Sequence, residues 1–260
     1  MGEELPSGIG RYQPLAKRLV MPAFRLLWSI RVNGAGSVPT SGPAVLCPNH
    51  LAAIDSFILP AVLRRAVTFV GKAEYLDDWK TRWLFPALGM IPIDRRGGEH
   101  ASAALDAARR VLMEGGLFAI YPEGTRSRTG KLYRGHTGAA RLAVESGAPL
   151  IPVGLVGTNR IQPIDVSVPR PLRRAEVRFG TPIDVERYRG RAGDHALFRQ
   201  LTDEVMYEIQ QLTGQEYVPD YASGGRNGPG DGPGGQAPTP SLPRRSSSEV
   251  LKPRPLPAAG

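Results

Sequence analysis

Short apolar runs alternate with stretches of helical periodicity from Val32 to about Leu212. Each run is short and bounded by glycine, proline or charged residues, a pattern that predicts buried strands rather than helices. The predicted strands are Ala44–Cys47, Val67–Val70, Met90–Ile93, Leu117–Tyr121, Leu150–Val156 and Ala175–Phe179.

Three segments between or after these strands have the spacing of amphipathic helices. An apolar stripe at 104–112 predicts the first helix, which Gly115 and Gly116 end. The second runs from about Thr137 to Gly147, and the third covers 195–212 after a cap at Asp194. Strands that alternate with helices predict an α/β fold with a mixed, mostly parallel central sheet flanked by helices.

The two ends of the chain differ from this central region. Residues 11–31 mix apolar and basic side chains, which predicts an N-terminal amphipathic helix, bent or broken at Pro22. Such a helix can lie in a membrane interface, and the alternative is a surface helix that packs on its own domain. Residues 218–260 are rich in glycine, proline and serine and predict a disordered tail. The chain thus divides into a membrane-associating segment at 1–30, a folded domain at 31–217 and the tail.

The composition limits the possible partners. A formal net charge of +9 and an isoelectric point near 10.0 indicate an anionic partner, such as anionic lipid, nucleic acid or a phosphorylated metabolite. No RNA-binding signature or zinc finger is present, so only the charge favours nucleic acid. Residues 1–10 are polar, which predicts no signal sequence, and no apolar run approaches the ~18 residues of a membrane span. These features predict a cytosol-facing protein.

A histidine and an aspartate follow the first predicted strand. His50 and Asp55 are separated by five positions, which does not place them on one helical face, so they meet across a strand-to-helix turn. A carboxylate beside an imidazole suits general-base chemistry because it fixes the tautomer and stabilises the imidazolium. The alternative is that Asn49 and His50 are turn residues and that Asp55 caps the helix starting at Ser56.

A second polar segment follows the strand predicted at Leu117–Tyr121. It contains arginines, small hydroxyls and glycines just before a helix, a combination that suits a phosphate site, and the alternative is a solvated polar turn. A third segment, Asp94–Arg96, ends the strand Met90–Ile93; its arginines either reach the same phosphate or form surface ion pairs. The residues of the second segment that bear on the site are Glu123, Gly124, Thr125, Arg126, Ser127, Arg134 and His136.

Other chemistries fit less well. The stretch Gly124–Lys131 is one residue too long for a Walker A loop, and Leu132 stands where a magnesium-binding hydroxyl is needed. No G-x-S-x-G elbow is present, which disfavours a serine hydrolase. The single Cys47 lies in an apolar run and is predicted to be a core residue, and the four histidines have no metal-ligand spacing.

Four segments, taken in order, resemble the glycerolipid acyltransferase family, in particular the 1-acylglycerol-3-phosphate acyltransferases. The resemblance covers roughly residues 30–190, and ordered blocks are more specific than any one motif. It identifies 31–217 as an acyltransferase domain. The blocks are Asn49-His50-x4-Asp55, Gly89 with Asp94-Arg95, Pro122-Glu123-Gly124-Thr125-Arg126-Ser127, and Ile151-Pro152-Val153-Gly154.

The resemblance implies roles for individual residues. His50 would be the general base and Asp55 its orienting partner. The remaining roles concern binding: Pro152 would help to shape the acyl or acceptor pocket. The acceptor phosphate and glycerol site would be formed by Asn49, Arg95, Glu123, Gly124, Thr125, Arg126 and Ser127, with further phosphate contacts from Arg96, Arg134 and His136.

The resemblance also implies the partners. It predicts a lysophospholipid acceptor and an acyl thioester donor, either acyl-CoA or acyl-carrier protein, as co-substrates. It predicts no cofactor, no metal and no nucleic acid, with peripheral attachment to the anionic cytosolic face of the cell membrane. Two departures affect specificity: Leu51-Ala52-Ala53 replaces a polar pair after the histidine, and the segment from Leu132 to His136 lacks the family's lysines. Three alternatives remain: an acyltransferase for another lysophospholipid or polar lipid, a non-catalytic binder of anionic lipid, and a nucleic-acid-binding protein.

Overall fold

The computed structural model describes residues 18, 22, 24, 26–72, 89–93, 100–188 and 190–222. Most of the N-terminal segment predicted at 1–30, and residues 223–260 of the predicted tail, lie outside this range. Helices within it are α1 (Asp55–Val62), α2 (His100–Met113), α3 (Gly138–Ser146), α4 (Thr158–Ile161) and α5 (His195–Thr213), with short 3-10 turns at Ala35–Ser37 and Glu186–Tyr188. The strands are β1 (Trp28–Asn33), β2 (Ala44–Pro48), β3 (Val67–Lys72), β4 (Met90–Ile93), β5 (Leu117–Ala119), β6 (Leu132–Tyr133), β7 (Leu150–Val156), β8 (Arg173–Phe179) and β9 (Tyr217–Val218).

Seven strands form the central sheet, in the order β1-β8-β7-β2-β5-β3-β4. The five strands from β7 to β4 are parallel to one another, whereas β8 runs antiparallel to β7 and is parallel to β1. The remaining two strands, β6 and β9, form a separate short parallel pair. The predicted α/β fold with a mixed, mostly parallel sheet is confirmed.

Helices cover both faces of the sheet, so the central strands are buried on both sides. Leu46 of β2 belongs to the apolar cluster beneath α1 and α4, and its neighbours Val45 and Cys47 belong to the cluster beneath α2, α3 and α5. Every residue of β2 is buried. This explains why the central strands appear in the sequence as continuous apolar runs without polar alternation.

The first strand corrects one prediction. Residues 28–31 were predicted as the end of an amphipathic helix, but they form the first part of β1, which pairs in parallel with β8 from Trp28 to Asn33. Trp28 and Ile30 pack against the core, whereas Ser29 and Arg31 are exposed. Because only one face of this edge strand is covered, apolar and basic residues alternate in a way that is easily mistaken for helical spacing.

The fold also extends past the predicted start of the tail. Val218 lies in β9, and the backbone carbonyl of Asp220 accepts a hydrogen bond from the amide of Arg134 at 3.0 Å. The prediction of disorder is therefore wrong for residues 218–222, because the short β6–β9 ladder gives this polar stretch backbone partners that its composition does not reveal. Across the described ranges, no helix is both long enough and apolar enough to span a membrane.

Candidate active site

The polar segments singled out in the sequence meet at the carboxyl ends of two neighbouring strands. Strands β2 and β5 are adjacent and parallel, with Leu46 opposite Ala119. The chain therefore leaves β2 into Asn49 and His50, and leaves β5 into Glu123, at one edge of the sheet. Ligand sites of open α/β sheets gather at this edge.

His50 and Asp55 form the predicted pair. Nδ1 of His50 lies 3.0 Å from Oδ2 of Asp55, and the His50 side chain is 15% exposed, whereas that of Asp55 is fully buried. A carboxylate at Nδ1 stabilises the tautomer that carries its proton there, which leaves Nε2 as the basic nitrogen. The imidazole thus has both a fixed orientation and access to solvent, as a general base requires.

Asp55 binds the turn that carries the histidine. Its Oδ2 also accepts hydrogen bonds from the amides of Leu51 and Ala52, at 2.7 and 2.8 Å. Asp55 is the first residue of α1, and the residue at the cap position, Ile54, makes no side-chain cap bond. The alternative that Asp55 merely caps its own helix is therefore wrong. Because the amides of Leu51 and Ala52 are both bonded to this carboxylate, neither is free to stabilise an oxyanion.

Tyr121 supports the imidazole from the side. Its ring stacks on the His50 ring, with centroids 3.8 Å apart and planes inclined by 17°. Its hydroxyl lies 3.4 Å from Oγ of Ser56. Burial, and then the charge of Asp55, raise the pKa of the Tyr121 phenol above its ordinary value, so it stays neutral. The sequence drew attention to the segment but gave no sign of this stacking.

Glu123 joins the two loops of the site. One carboxylate oxygen accepts the amide of His50 at 3.1 Å, and the other accepts the amide of Tyr133 at 3.0 Å. The residue is 1% exposed, and burial is the main reason that its pKa rises to about 7, against the lowering effect of the two amides. Glu123 therefore positions the backbone of the base, and its predicted contact with substrate stays a prediction.

Asn49 is also a structural part of this edge. Its side chain is buried and bonds both backbone groups of Leu155, with Oδ1 accepting the amide at 2.6 Å and Nδ2 donating to the carbonyl at 3.0 Å. Nδ2 donates as well to Oε1 of Gln215, whose own Nε2 donates to the carbonyl of Gly130. Gln215 thus connects β2 to the arginine-containing loop. The predicted contact of Asn49 with substrate stays a prediction. Its hydrogen bonds to Leu155 hold β2 against β7.

The arginine-containing loop, residues 123–131, folds back onto the turn that carries His50. The amide of Ser127 donates to the carbonyl of His50 at 2.8 Å, and its hydroxyl donates to the carbonyl of Lys131. Gly124 has a positive φ of 70°, and a Cβ there would lie 3.1 Å from the ring of His136, so a larger residue would be strained. Thr125 and Arg126 are partly exposed beside these anchored residues.

Two further residues that were predicted to contact phosphate, His136 and Arg134, lie against the ring of Tyr221. The ring of His136 stacks on Tyr221, with centroids 4.6 Å apart, and the Arg134 guanidinium lies 5.3 Å from the centre of the same ring. Partial burial, and then the charge of Arg199, lower the pKa of His136, so its imidazole tends to be neutral. Tyr221 is a neighbour that the sequence did not suggest, because it lies in the predicted tail.

The remaining predicted residues lie apart from this cluster or outside the described ranges. Pro152 is buried in the middle of β7, opposite Cys47, and its carbonyl accepts the amide of Gly180, so it is part of the core. Its predicted role in shaping a pocket stays a prediction. Arg95 and Arg96 follow β4, which ends at the same sheet edge, but they lie outside the described residues. Burial raises the pKa of the Cys47 thiol, consistent with the predicted core position.

Fold and site together define a class: an α/β protein with a histidine–aspartate base beside a basic loop at the carboxyl edge of the sheet. Comparison with known proteins agrees, since residues 29–156 match the model of the Acyltransferase family. This part of the chain is therefore similar to the acyltransferase family.

Two curated relatives are 1-acyl-sn-glycerol-3-phosphate acyltransferases. The chain is 28% identical over 137 residues to a chloroplastic enzyme of Arabidopsis thaliana, covering 52% of this chain and 38% of that protein. It is 30% identical over 130 residues to the enzyme of Borreliella burgdorferi, covering 50% of this chain and 52% of that protein. The chain thus spans about half the length of these relatives or less.

A solved structure supports the fold. The 1-acyl-sn-glycerophosphate (LPA) acyltransferase PlsC of Thermotoga maritima aligns with a TM-score of 0.63 over 77% of this chain and 79% of that chain. The sequence identity is 22%. At this identity the likeness concerns the fold, which includes the mixed sheet that holds the two site loops side by side.

Proposed function

We propose that the protein transfers a fatty acyl group from an acyl thioester to the free hydroxyl of 1-acylglycerol-3-phosphate, giving phosphatidic acid. The observation that carries this proposal is the contact of 3.0 Å between Nδ1 of His50 and Oδ2 of Asp55, at the loop edge of a domain similar to the acyltransferase family. The relatives, which are 1-acyl-sn-glycerol-3-phosphate acyltransferases, suggest the acceptor.

The reaction needs one base and no acyl-enzyme. Nε2 of His50 takes the proton of the acceptor hydroxyl as its oxygen attacks the thioester carbonyl. The tetrahedral intermediate then collapses, the carbon–sulfur bond breaks, and the thiolate leaves with the proton returned by the imidazolium. Asp55 stabilises that imidazolium, and general-base catalysis of this kind contributes typically ~10²–10⁴-fold.

The partly exposed loop beside the base supplies the acceptor site in this proposal. Arg126 directly precedes Ser127, whose amide bonds the carbonyl of His50, and the Arg126 side chain is partly exposed, so its guanidinium would bind an acceptor phosphate near the base. Guanidinium groups bind phosphate through paired hydrogen bonds, which suits a phosphomonoester headgroup. Arg95 and Arg96 would approach from β4. Acyl-CoA and acyl-carrier protein both remain candidate donors, and the site of action would be the cytosolic face of the membrane.

A thiol-release assay tests the reaction. Purified protein is given acyl-CoA or acyl-carrier protein with 1-acylglycerol-3-phosphate or other lysophospholipids, and products are identified by mass spectrometry. His50→Ala is expected to abolish turnover with a circular dichroism spectrum like that of the wild type. The matched control is His195→Ala, because His195 is exposed at the first turn of α5. Full activity of His50→Ala would remove His50 from the mechanism.

A second pair of variants tests the acceptor site. Arg126→Ala is expected to raise KM for the lysophospholipid more than it lowers kcat, because a phosphate contact present in both ground and transition state mainly affects binding. Arg128→Ala is the comparison, since Arg128 is exposed in the same loop. Unchanged acceptor kinetics in Arg126→Ala would argue against the phosphate assignment.

A further inference from the structure

Large apolar side chains are exposed at the edge of the sheet where β1 and β8 begin. Leu172 is 84% exposed, Leu26 is 81% exposed and Val168 is 76% exposed. The amide of Leu172 donates to the carbonyl of Leu27 at 2.7 Å, so the β7–β8 connection meets the chain just before β1. The Leu172 surface is defined as Leu26, Leu27, Val168 and Leu172 with Arg160, Arg170, Arg173 and Arg174.

Both the backbone conformation and the solvent exposure of Leu172 are energetically unfavourable. Its φ is +57°, and within the described part of the chain it is the one residue other than glycine with a positive φ. Left-handed backbone is costly for a branched side chain, and exposure of a leucine forgoes the stabilisation that burial gives. Both costs are accounted for if the side chain is buried against something in the working state, since strained residues cluster at binding sites.

Arginines surround these apolar side chains. Arg160, Arg170, Arg173 and Arg174 are all exposed, and no ion pair involves them among the residues that the structure describes. Two of them, with Arg31, line an open cavity of about 430 Å³. Of the nearby acids, Glu176 is bonded to Arg178 and Asn33, which leaves Asp165 as the exposed acid of the connection. The surface therefore carries a net positive charge.

One buried side chain ties this surface to the candidate active site. Gln162 is 8% exposed, and its Oε1 accepts the amide of Ile54, the residue before Asp55, at 2.8 Å. Its Nε2 donates to the carbonyls of Val166 and Ser167, next to Val168. Gln162 thus joins the β7–β8 connection, which carries Val168 and Leu172, to the turn that carries His50 through hydrogen bonds.

We propose that the Leu172 surface docks the protein on an anionic phospholipid bilayer, with the leucines and Val168 entering the interface and the arginines binding lipid phosphates. Apolar side chains within a ring of arginines match a bilayer, because both the hydrocarbon boundary and the anionic headgroups are satisfied. Nucleic acid would satisfy only the arginines. The inference rests on the proposed function, since docking here would bring a lipid acceptor to the side of the sheet that carries His50.

Vesicle sedimentation tests the apolar part. Leu172→Asn introduces a residue that tolerates positive φ, so thermal stability should be unchanged or higher. Partition onto vesicles that contain phosphatidylglycerol should nevertheless fall roughly tenfold, because a buried leucine is lost. The matched control is Met113→Asn: Met113 is 77% exposed at the end of α2, next to the amino end of β5 and hence at the opposite edge of the sheet. Equal partition of Leu172→Asn and wild type would overturn the proposal.

The arginines are tested with the double variant Arg170→Gln/Arg173→Gln. Its partition onto the same vesicles should fall by roughly fivefold for each arginine, and high salt should remove the difference. Arg187→Gln, an exposed arginine of the chain after β8, is the control. A fall in the arginine variant without one in Leu172→Asn would indicate charge attraction only and would overturn docking. Vesicle binding through this surface by a wild-type protein that transfers no acyl group, even to a water-soluble short-chain acceptor, would support docking and refute the proposed function.

Discussion

Replacing Glu123 by glutamine should change how stability depends on pH. The Glu123 carboxylate is buried between the amides of His50 and Tyr133. Its pKa is raised from an ordinary value of 4.5 to about 7, chiefly by burial. The folded state therefore binds this proton more tightly than the unfolded state does. The contribution to stability is complete below about pH 4.5 and is lost as the pH rises through about 7.

The size of the effect follows from the two pKa values. A rise from 4.5 to about 7 corresponds to a decrease of about 3 kcal/mol in the free energy of unfolding across that interval. Glutamine has the shape of the acid and does not titrate. Glu123→Gln should therefore remove this component of the pH dependence, while leaving one of the two backbone amides without its acceptor.

Urea unfolding at several pH values between 5 and 8, followed by tryptophan fluorescence, measures this component. The difference between wild type and variant isolates Glu123, because all other titrating groups are present in both. Glu204→Gln, at an exposed position of α5, controls for the loss of one carboxylate. If Glu123→Gln retains the wild-type slope, Glu123 is not titrating in this interval and the burial argument fails.

Two further predictions concern the turn that carries His50 and the loop after β5. Asp55→Asn keeps the shape but removes the charge that stabilises the imidazolium, so kcat/KM in the thiol-release assay should fall by roughly 10²-fold or more, and wild-type turnover would contradict the pairing. Gly124→Ala should lower the free energy of unfolding by about 1–2 kcal/mol, because alanine is strained at φ 70° and meets His136. Gly130→Ala, with φ 77° and open space, isolates the backbone part, and an equal loss in both variants would show that the contact with His136 costs nothing.

The sequence predicted the parts of the fold that depend on local patterns. Strands Met90–Ile93 and Leu150–Val156 were placed correctly to the residue, and Asp194 caps α5 through the amide of Leu197 as its position suggested. The pair His50 and Asp55 could also be predicted, since only one short turn separates them. These features need no information from distant parts of the chain.

The features that were missed depend on contacts between distant residues. Gln162 binds the amide of Ile54 across 108 positions, and Gln215 binds Asn49 across 166. A glutamine that will be buried looks like any surface glutamine in the sequence, because its partners are backbone groups brought close only by the sheet. The same holds for β1, whose strand character comes from β8.

These long-range contacts explain how the base is held in place. The turn after β2 contains four backbone amides that no regular secondary structure satisfies, and buried side chains accept a hydrogen bond from each. Glu123 accepts from the amide of His50 and Gln162 from that of Ile54. Asp55 accepts from the amides of Leu51 and Ala52. Unpaired buried amides are costly, so each acceptor fixes the turn as well as stabilising it. Because the acceptors come from α1, the β5 loop and the β7–β8 connection, the imidazole is positioned only when the whole sheet edge has formed. Donors for the developing oxyanion must accordingly come from outside these four amides.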